Sequence, residues 1–292
     1  MHKYIKAIGF QKISSEKEWN QILREAEDTF TGYERISLEE NLDFCEFRKD
    51  FGVDIGICSY GQIDEKETFE REYYVPYFYG SGVTSYADII VEKRSDREAY
   101  IGICEDAKVG VSLIFHLQNG MEYMKEFQLG RIPKASTSVT LAGLAVSGKI
   151  LFPVLKSKEQ ERERKEESRN RMMLLTAARE GNEEAIESLT MDDIDTYTEV
   201  SKRLLSEDVY SIVDTYFMPC GVECDQYSIL GEILNMDILE NRITGEEICV
   251  LTLDVNELIF DICVPMESIT GQPEIGRRFK GDIWLQGYIN FP

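Results

Sequence analysis

Two histidines, seven cysteines and one dense aromatic run are the parts of this chain best suited to chemistry. His2 stands near the start of the sequence. His116 lies in Ser112-Leu113-Ile114-Phe115-His116-Leu117-Gln118. Strand alternation groups it with Ser112, Ile114 and Gln118 and sets it opposite Leu113, Phe115 and Leu117. Catalysis of the Ser-His-Asp or Cys-His kind would have to run through His116, because His2 is not expected to be held in place. A single histidine on the mixed face of a strand is more simply a packed or half-exposed residue. The chain holds no G-x-S-x-G, no P-loop, no G-x-G-x-x-G and no H-E-x-x-H. Those hydrolase, nucleotide and zinc-peptidase chemistries therefore lack their motif here, and no catalytic residue is assigned.

The aromatic run is Tyr73-Tyr74-Val75-Pro76-Tyr77-Phe78-Tyr79, followed by Gly80-Ser81-Gly82. As a strand it places Tyr73, Tyr77 and Tyr79 on one face and Tyr74 and Phe78 on the other. Pro76 lacks the ladder donor, which argues for an edge strand. One reading is a strand packed on both faces. The other is a stacking wall for a sugar, base or peptide, with Tyr73, Tyr77, Tyr79, Gly80 and Gly82 as its binding residues. The same edge could accept a partner strand. Asp64, Glu65, Glu67, Glu70 and Glu72 precede the run, with Arg71 among them. Glu70 and Glu72 share a face and form the candidate acid/base pair of a carbohydrate-active or other hydrolase-like enzyme. In a chain with 54 acidic residues, such adjacency is expected by chance.

Cys220-Gly221-Val222-Glu223-Cys224 is a C-x3-C after Pro219, but no second cysteine or histidine pair completes four zinc ligands. Asp192, Asp193 and Asp195 lack the EF-hand glycine and the twelfth-position glutamate, and fit a helix N-terminus better. No metal and no cofactor is expected. Cys45, Cys58, Cys104, Cys249 and Cys263 fall in apolar, strand-like runs, as buried thiols of a reducing compartment do. A hairpin through Phe51-Gly52 would set Cys45 opposite Cys58. A turn centred on Asn256 would set Cys249 opposite Cys263.

The charge narrows the partners. There are 54 acids and 32 bases, for a net charge of −22. Residues 207–292 alone hold 16 acids and 4 bases, and no large region is net basic. Nucleic acid is therefore not expected as a partner. Lysines interrupt the first ten residues before a signal-peptide core can form. Val139 to Leu155, the longest apolar stretch, is broken by Ser147, Gly148, Lys149 and Pro153 and does not suit a bilayer. A cytoplasmic protein that binds a protein partner or a small molecule is the expectation, without a membrane partner.

The elements that must position these residues follow from periodicity. Over 1–155 the pattern gives a strand at 4–10 and a helix at 15–28, opened by Ser15-x-x-Glu18 and carrying Trp19, Ile22, Leu23, Ala26 and Phe30. Hairpins at 42–47/53–57 and 86–92/100–104, the aromatic strand, a strand at 109–118 and one or two in 139–155 complete an α+β antiparallel-sheet domain. Residues 156–206 form a helical connector with Glu161–Lys165 and Arg162–Glu166 as i,i+4 pairs. Gly181-Asn182 ends its first helix, Glu183 to Leu189 makes a second, and Thr190-x-x-Asp193 caps a third. Residues 207–292 hold five strands, at 209–218, 227–237, 248–255, 258–264 and 279–288. They fit a small acidic antiparallel β-barrel of the OB or SH3 kind.

Three segments carry a resemblance. They are Met1-His2-Lys3-Tyr4-Ile5-Lys6-Ala7-Ile8-Gly9-Phe10, Pro76-Tyr77-Phe78-Tyr79-Gly80, and the run from Glu207 through Cys224-Asp225-Gln226-Tyr227 to Glu232. Together they resemble a family of uncharacterised bacterial proteins found mostly in anaerobic clostridial-type species and defined as a domain of unknown function. The resemblance spans nearly the whole chain. It implies a bacterial cytosolic protein and transfers no catalytic residue. The function expected is non-catalytic binding through the aromatic edge strand at 73–79.

Overall fold

The structure, a computed structural model, describes residues 1–39, 42–63, 67–106, 108, 112–131, 138–154 and 158–291. Asp64, Glu65, Val109, Leu155 and Lys156 lie outside the described residues, and so do the side chains of Glu161, Arg162 and Lys165 from the two expected i,i+4 pairs.

Lys3–Ile8 form a 3-10 helix in place of the expected strand. Tyr4, Ile5, Ala7 and Ile8 are buried while Lys3 and Lys6 are exposed, and two exposed positions are too few to fix a period that separates helix from strand. The His2 imidazole caps this helix by accepting from the Tyr4 N–H, and Gly9, at φ 87°, ends it. Helix α1 (Glu16–Asp28) follows where expected, burying Trp19, Leu23 and Ala26, but Ser15 makes no side-chain cap bond and Phe30 lies beyond the helix, exposed.

Strands β1 (Gly32–Glu39), β2 (Leu42–Asp50), β3 (Ile55–Ile63) and β4 (Phe69–Phe78) form an antiparallel sheet in sequence order. The β2–β3 turn runs over residues 51–54 rather than two residues, closed by the Phe51 N–H on the Ile55 carbonyl at 2.9 Å. That shift places Cys45 opposite Gly61 and Cys58 opposite Arg48, so the two thiols do not face each other.

The chain continues as β5 (Ile89–Lys93), β6 (Tyr100–Glu105), β7 (Ser112–Leu117), α2 (Gly120–Gln128), β8 (Ser138–Ala145) and β9 (Gly148–Leu151). Two helices follow, α3 (Lys158–Arg179) and α4 (Glu183–Arg203). α4 is one helix, not two. The Thr190 hydroxyl donates to the Ile186 carbonyl one turn back instead of capping a new start. Asp192, Asp193 and Asp195 are therefore exposed mid-helix residues, and Asp193 meets Arg171 at 2.9 Å. The expected strand at 209–218 splits into a single turn, α5 (Val209–Ile212), and a short strand β10 (Tyr216–Pro219), because the Asp208 carboxylate caps the Tyr210 N–H. β11 (Gln226–Glu240), β12 (Glu247–Val255), β13 (Leu258–Pro265), β14 (Ile269–Thr270) and β15 (Arg278–Asn290) complete the chain.

The C-terminal strands do not make a sheet of their own. β8 lies between them, parallel to β13 and antiparallel to β15. β11 pairs with β12 over its second half and with β15 over its first. The pairing path from β11 through β12, β13, β8 and β15 thus leads back to β11. β15 also pairs briefly with β7, which carries β6 and β5 beyond it. Leu141, Ile229, Leu251, Phe260, Ile262 and Ile283 are fully or almost fully buried in the core of this second sheet. A separate core joins the first sheet to α1 and the N-terminal turn. The fold is mixed α+β, mostly sheet. Among the described residues no helix is long and apolar enough to cross a membrane.

The β12–β13 turn has two residues, Asn256 and Glu257, both left-handed at φ 55° and 65°. Cys249 therefore faces Val264 and Cys263 faces Val250, one residue away from the expected pairing. Such a turn favours Asn-Gly. Replacing Glu257→Gly should raise the unfolding free energy by about 0.5–1 kcal/mol, since relief of left-handed strain outweighs the added freedom of the unfolded chain. Denaturant titration reads this as a higher midpoint at unchanged slope.

Candidate functional site

β4 pairs only with β3 among the described residues, so its other edge faces the second sheet. Two buried glutamines occupy that edge. Gln286 of β15 donates to the Pro76 carbonyl at 2.8 Å and accepts from the Phe78 N–H at 3.4 Å. Gln118, just past β7, donates to the Phe78 carbonyl and to Gln286 Oε1, both at 2.8 Å. The backbone at 76–78 is therefore satisfied from within, which closes it to a partner strand.

Beyond the glutamines the two sheets diverge. At Trp284, β15 pairs with β11, and at Gln286 it pairs with β7. The gap left between these two neighbours is a partly enclosed cavity of about 280 Å³. Its wall brings together both histidines, Trp284, Tyr4, Tyr73 and Tyr74, with Arg94 and Arg97 from the β5–β6 turn and Glu223 and Asp225 from the β10–β11 turn. Trp284 is the centre of the aromatic packing. The His2 ring lies 4.9 Å from it, His116 5.3 Å, and Tyr4 stacks on it at 5.5 Å.

Both imidazoles are neutral. Burial pulls His116 down to about 3, helped by His2, Arg94 and Arg97, and burial pulls His2 down to about 4. His2 Nδ1 accepts from the Tyr4 N–H at 3.3 Å, so its proton sits on Nε2. His116 is 6% exposed, and among the described residues the fully buried side-chain atoms without a hydrogen-bond partner are Trp19 Nε1, Ser59 Oγ and Glu246 Oε1, not its ring nitrogens. Its alternation is the one expected: Leu113, Phe115 and Leu117 enter the core while His116 and Gln118 face β4.

The charged groups are loosely matched. Arg94 reaches Glu223 at 3.4 Å, Asp96 at 3.6 Å and Asp225 at 3.8 Å, with no close bidentate partner. Arg97 binds Asp96 at 2.6 Å and lies 5.4 Å over the Tyr73 ring. Asp225 is 2% exposed, and burial raises its pKa against the opposing hydrogen bond from Trp284. Arg94 and Arg97 also line a broad groove of about 880 Å³ beside the cavity, which gives it an approach from solvent.

The five residues read as a binding wall are divided. Tyr73 lines the histidine cavity, and its hydroxyl donates to the Glu98 carbonyl at 2.6 Å. Tyr77 is 2% exposed, with its hydroxyl on Asp50. Tyr79 and Gly80 line a different pocket of about 490 Å³, with Arg48, Asp50, Asp54 and Tyr288. Gly82 has nothing within 4 Å of a built Cβ, and its carbonyl accepts from Thr140. Glu70 and Glu72 are exposed, and neither lines the histidine cavity or the Tyr79 pocket. Glu72 instead bonds Gln62 at 2.6 Å.

Sequence reasoning singled out His116 but not Trp284, Arg94, Arg97 or Asp225. Their only sequence signal is polarity or bulk at strand ends and turns. Cys220 and Cys224 sit in the β10–β11 turn as free thiols. Among the described residues no group of three His, Cys, Asp or Glu side chains could hold a metal ion.

No curated protein and no solved structure matches the chain. A family model described as "Domain of unknown function, E. rectale Gene description (DUF3881)" matches residues 5–287. The match takes in the strands, turns and arginines of the cavity and leaves only the first four residues and the last five outside. The chain belongs to the DUF3881 family, a domain of unknown function.

Proposed function

We propose that this is a non-catalytic cytosolic protein that binds a small molecule in the cavity between β4, β7 and β15. The observation that carries the reading is the His116 ring: neutral, packed on Trp284 and lining a partly enclosed cavity. The aromatic wall and the few convergent polar groups are those of a small-molecule site rather than of a flat protein interface. The hydrolase alternative has less support because Glu70 and Glu72 line neither the histidine cavity nor the Tyr79 pocket, although Glu72 borders the broad groove beside them.

The scaffold of the site is proposed to be a five-stranded barrel of the OB kind, made by β11, β12, β13, β8 and β15. Its support is the pairing path that returns to β11, with β8 supplied from residues 138–145. On this reading the helices at 158–203 are inserted into the barrel sequence.

A thermal-shift screen against amino acids, sugars, nucleotides and divalent metals tests the function. A ligand at about 100 times its Kd adds roughly 2.7 kcal/mol. The midpoint of the native protein should then rise by roughly 5–10 °C. The His116→Gln protein, folded by circular dichroism, should lose most of that rise. An equal rise in both proteins would place the ligand elsewhere.

A further inference from the structure

We infer that the ligand of the histidine cavity is a free α-amino acid, whose carboxylate meets Arg94 and Arg97 and whose ammonium meets Asp225 and Glu223. This rests on the cavity being the ligand site.

The chain is strongly acidic, at −22, yet this wall carries cations and anions together. Arg94 stands 3.4–3.8 Å from three carboxylates and makes a close bidentate contact with none of them. A guanidinium fork is suited to a carboxylate held by two parallel bonds, and a ligand carboxylate that offers them would replace the three long contacts of Arg94, while Arg97 keeps its two bonds to Asp96. Asp225 is buried on the same wall, and its protein partners are the Trp284 indole and the distant Arg94. Bringing in a lone anion would set it against Asp225 and Glu223. Bringing in a lone cation would set it against the two arginines, whose charge Asp96 offsets in part through its bonds to Arg97. A zwitterion matches both without adding net charge to a low-dielectric space.

Size and surface agree. The cavity, about 280 Å³, is below the range typical of drug-sized ligands and suits a molecule of amino-acid dimensions. Tyr73 and Trp284 offer ring faces or edges to an ammonium or an apolar side chain. The neutral His116 can donate or accept one further bond.

The test is calorimetric titration of the full-length protein with each of the twenty standard amino acids. The best binder is then compared with its decarboxylated amine and its deaminated acid. The expected result is one or a few amino acids that bind, with both analogues about tenfold or more weaker, since each loses a charge-assisted hydrogen bond. Arg94→Gln, at a partly exposed position, should weaken the amino acid by a similar factor and leave the amine unchanged. An acid analogue that binds as tightly as its amino acid overturns the assignment. So does a panel with no binder. If another compound binds and His116→Gln abolishes it, the ligand class fails while the cavity stands. If an amino acid binds equally well to His116→Gln and Arg94→Gln, both readings fail.

Discussion

Gln286→Leu is expected to lower the unfolding free energy by about 3–5 kcal/mol, with a fall of roughly 5–15 °C in the thermal midpoint. Gln286 is fully buried and mediates between the two sheets. Its amide donates to the Pro76 carbonyl, accepts from Gln118 and accepts from the Phe78 N–H. Leucine keeps much of the volume but none of these bonds. It leaves a buried carbonyl, a buried N–H and half of the Gln118 amide unmatched, each costing about 1–3 kcal/mol. The loss should exceed that of Gln118→Leu, because Gln118 supplies donors alone to this junction. Chemical denaturation of both variants checks the order. A Gln286→Leu protein within 1 kcal/mol of the native one would mean that the glutamine pair does not join the sheets.

Acidification should cost the native protein about 3 kcal/mol more than it costs His116→Gln between pH 7 and pH 4. The sign follows from the direction of the shift. His116 falls from 6.5 to about 3 in the folded chain, so between those values the unfolded chain binds the proton and the folded chain does not. Stability is thus unaffected above pH 6.5 and drops by about 1.4 kcal/mol per pH unit below it. The groups around the ring work in the same direction: His2, Arg94 and Arg97 all disfavour a second cation. Glu46 does the reverse. Burial raises it to about 7, so its contribution is complete below pH 4.5 and lost as the pH rises through 7. That term is common to both proteins and cancels in their difference. Urea unfolding at half-unit pH steps gives the two curves. Parallel curves would show that His116 is not the neutral, buried group described.

The closing of β4's edge bears on how such a protein avoids assembly. An aromatic edge strand with free backbone groups is a template for association. Here the backbone at 76–78 is satisfied by side chains from the neighbouring sheet, and the tyrosines are half-buried or buried. The residues that looked like a binding wall thus hold two sheets together at one end and border a cavity at the other.

Periodicity alone was enough for the α+β class, helix α1, the strand face at 112–117, and the C-terminal hairpins. Each depends on which side of a local segment is buried, and burial leaves its period in the residues themselves. Lys3–Ile8 escaped because the run is short, with only Lys3 and Lys6 exposed, and two positions do not fix a period. The cysteine registers escaped because a turn's length, and not the strands it joins, sets which residues face each other. The site escaped for a different reason. Trp284 meets His2, His116 faces Gln286, and β8 enters between β13 and β15 only through contacts across more than a hundred residues. Local chemistry makes a strand but does not choose its neighbour. That choice belongs to the buried packing of the whole chain, and it places two histidines, two arginines and a tryptophan around one space.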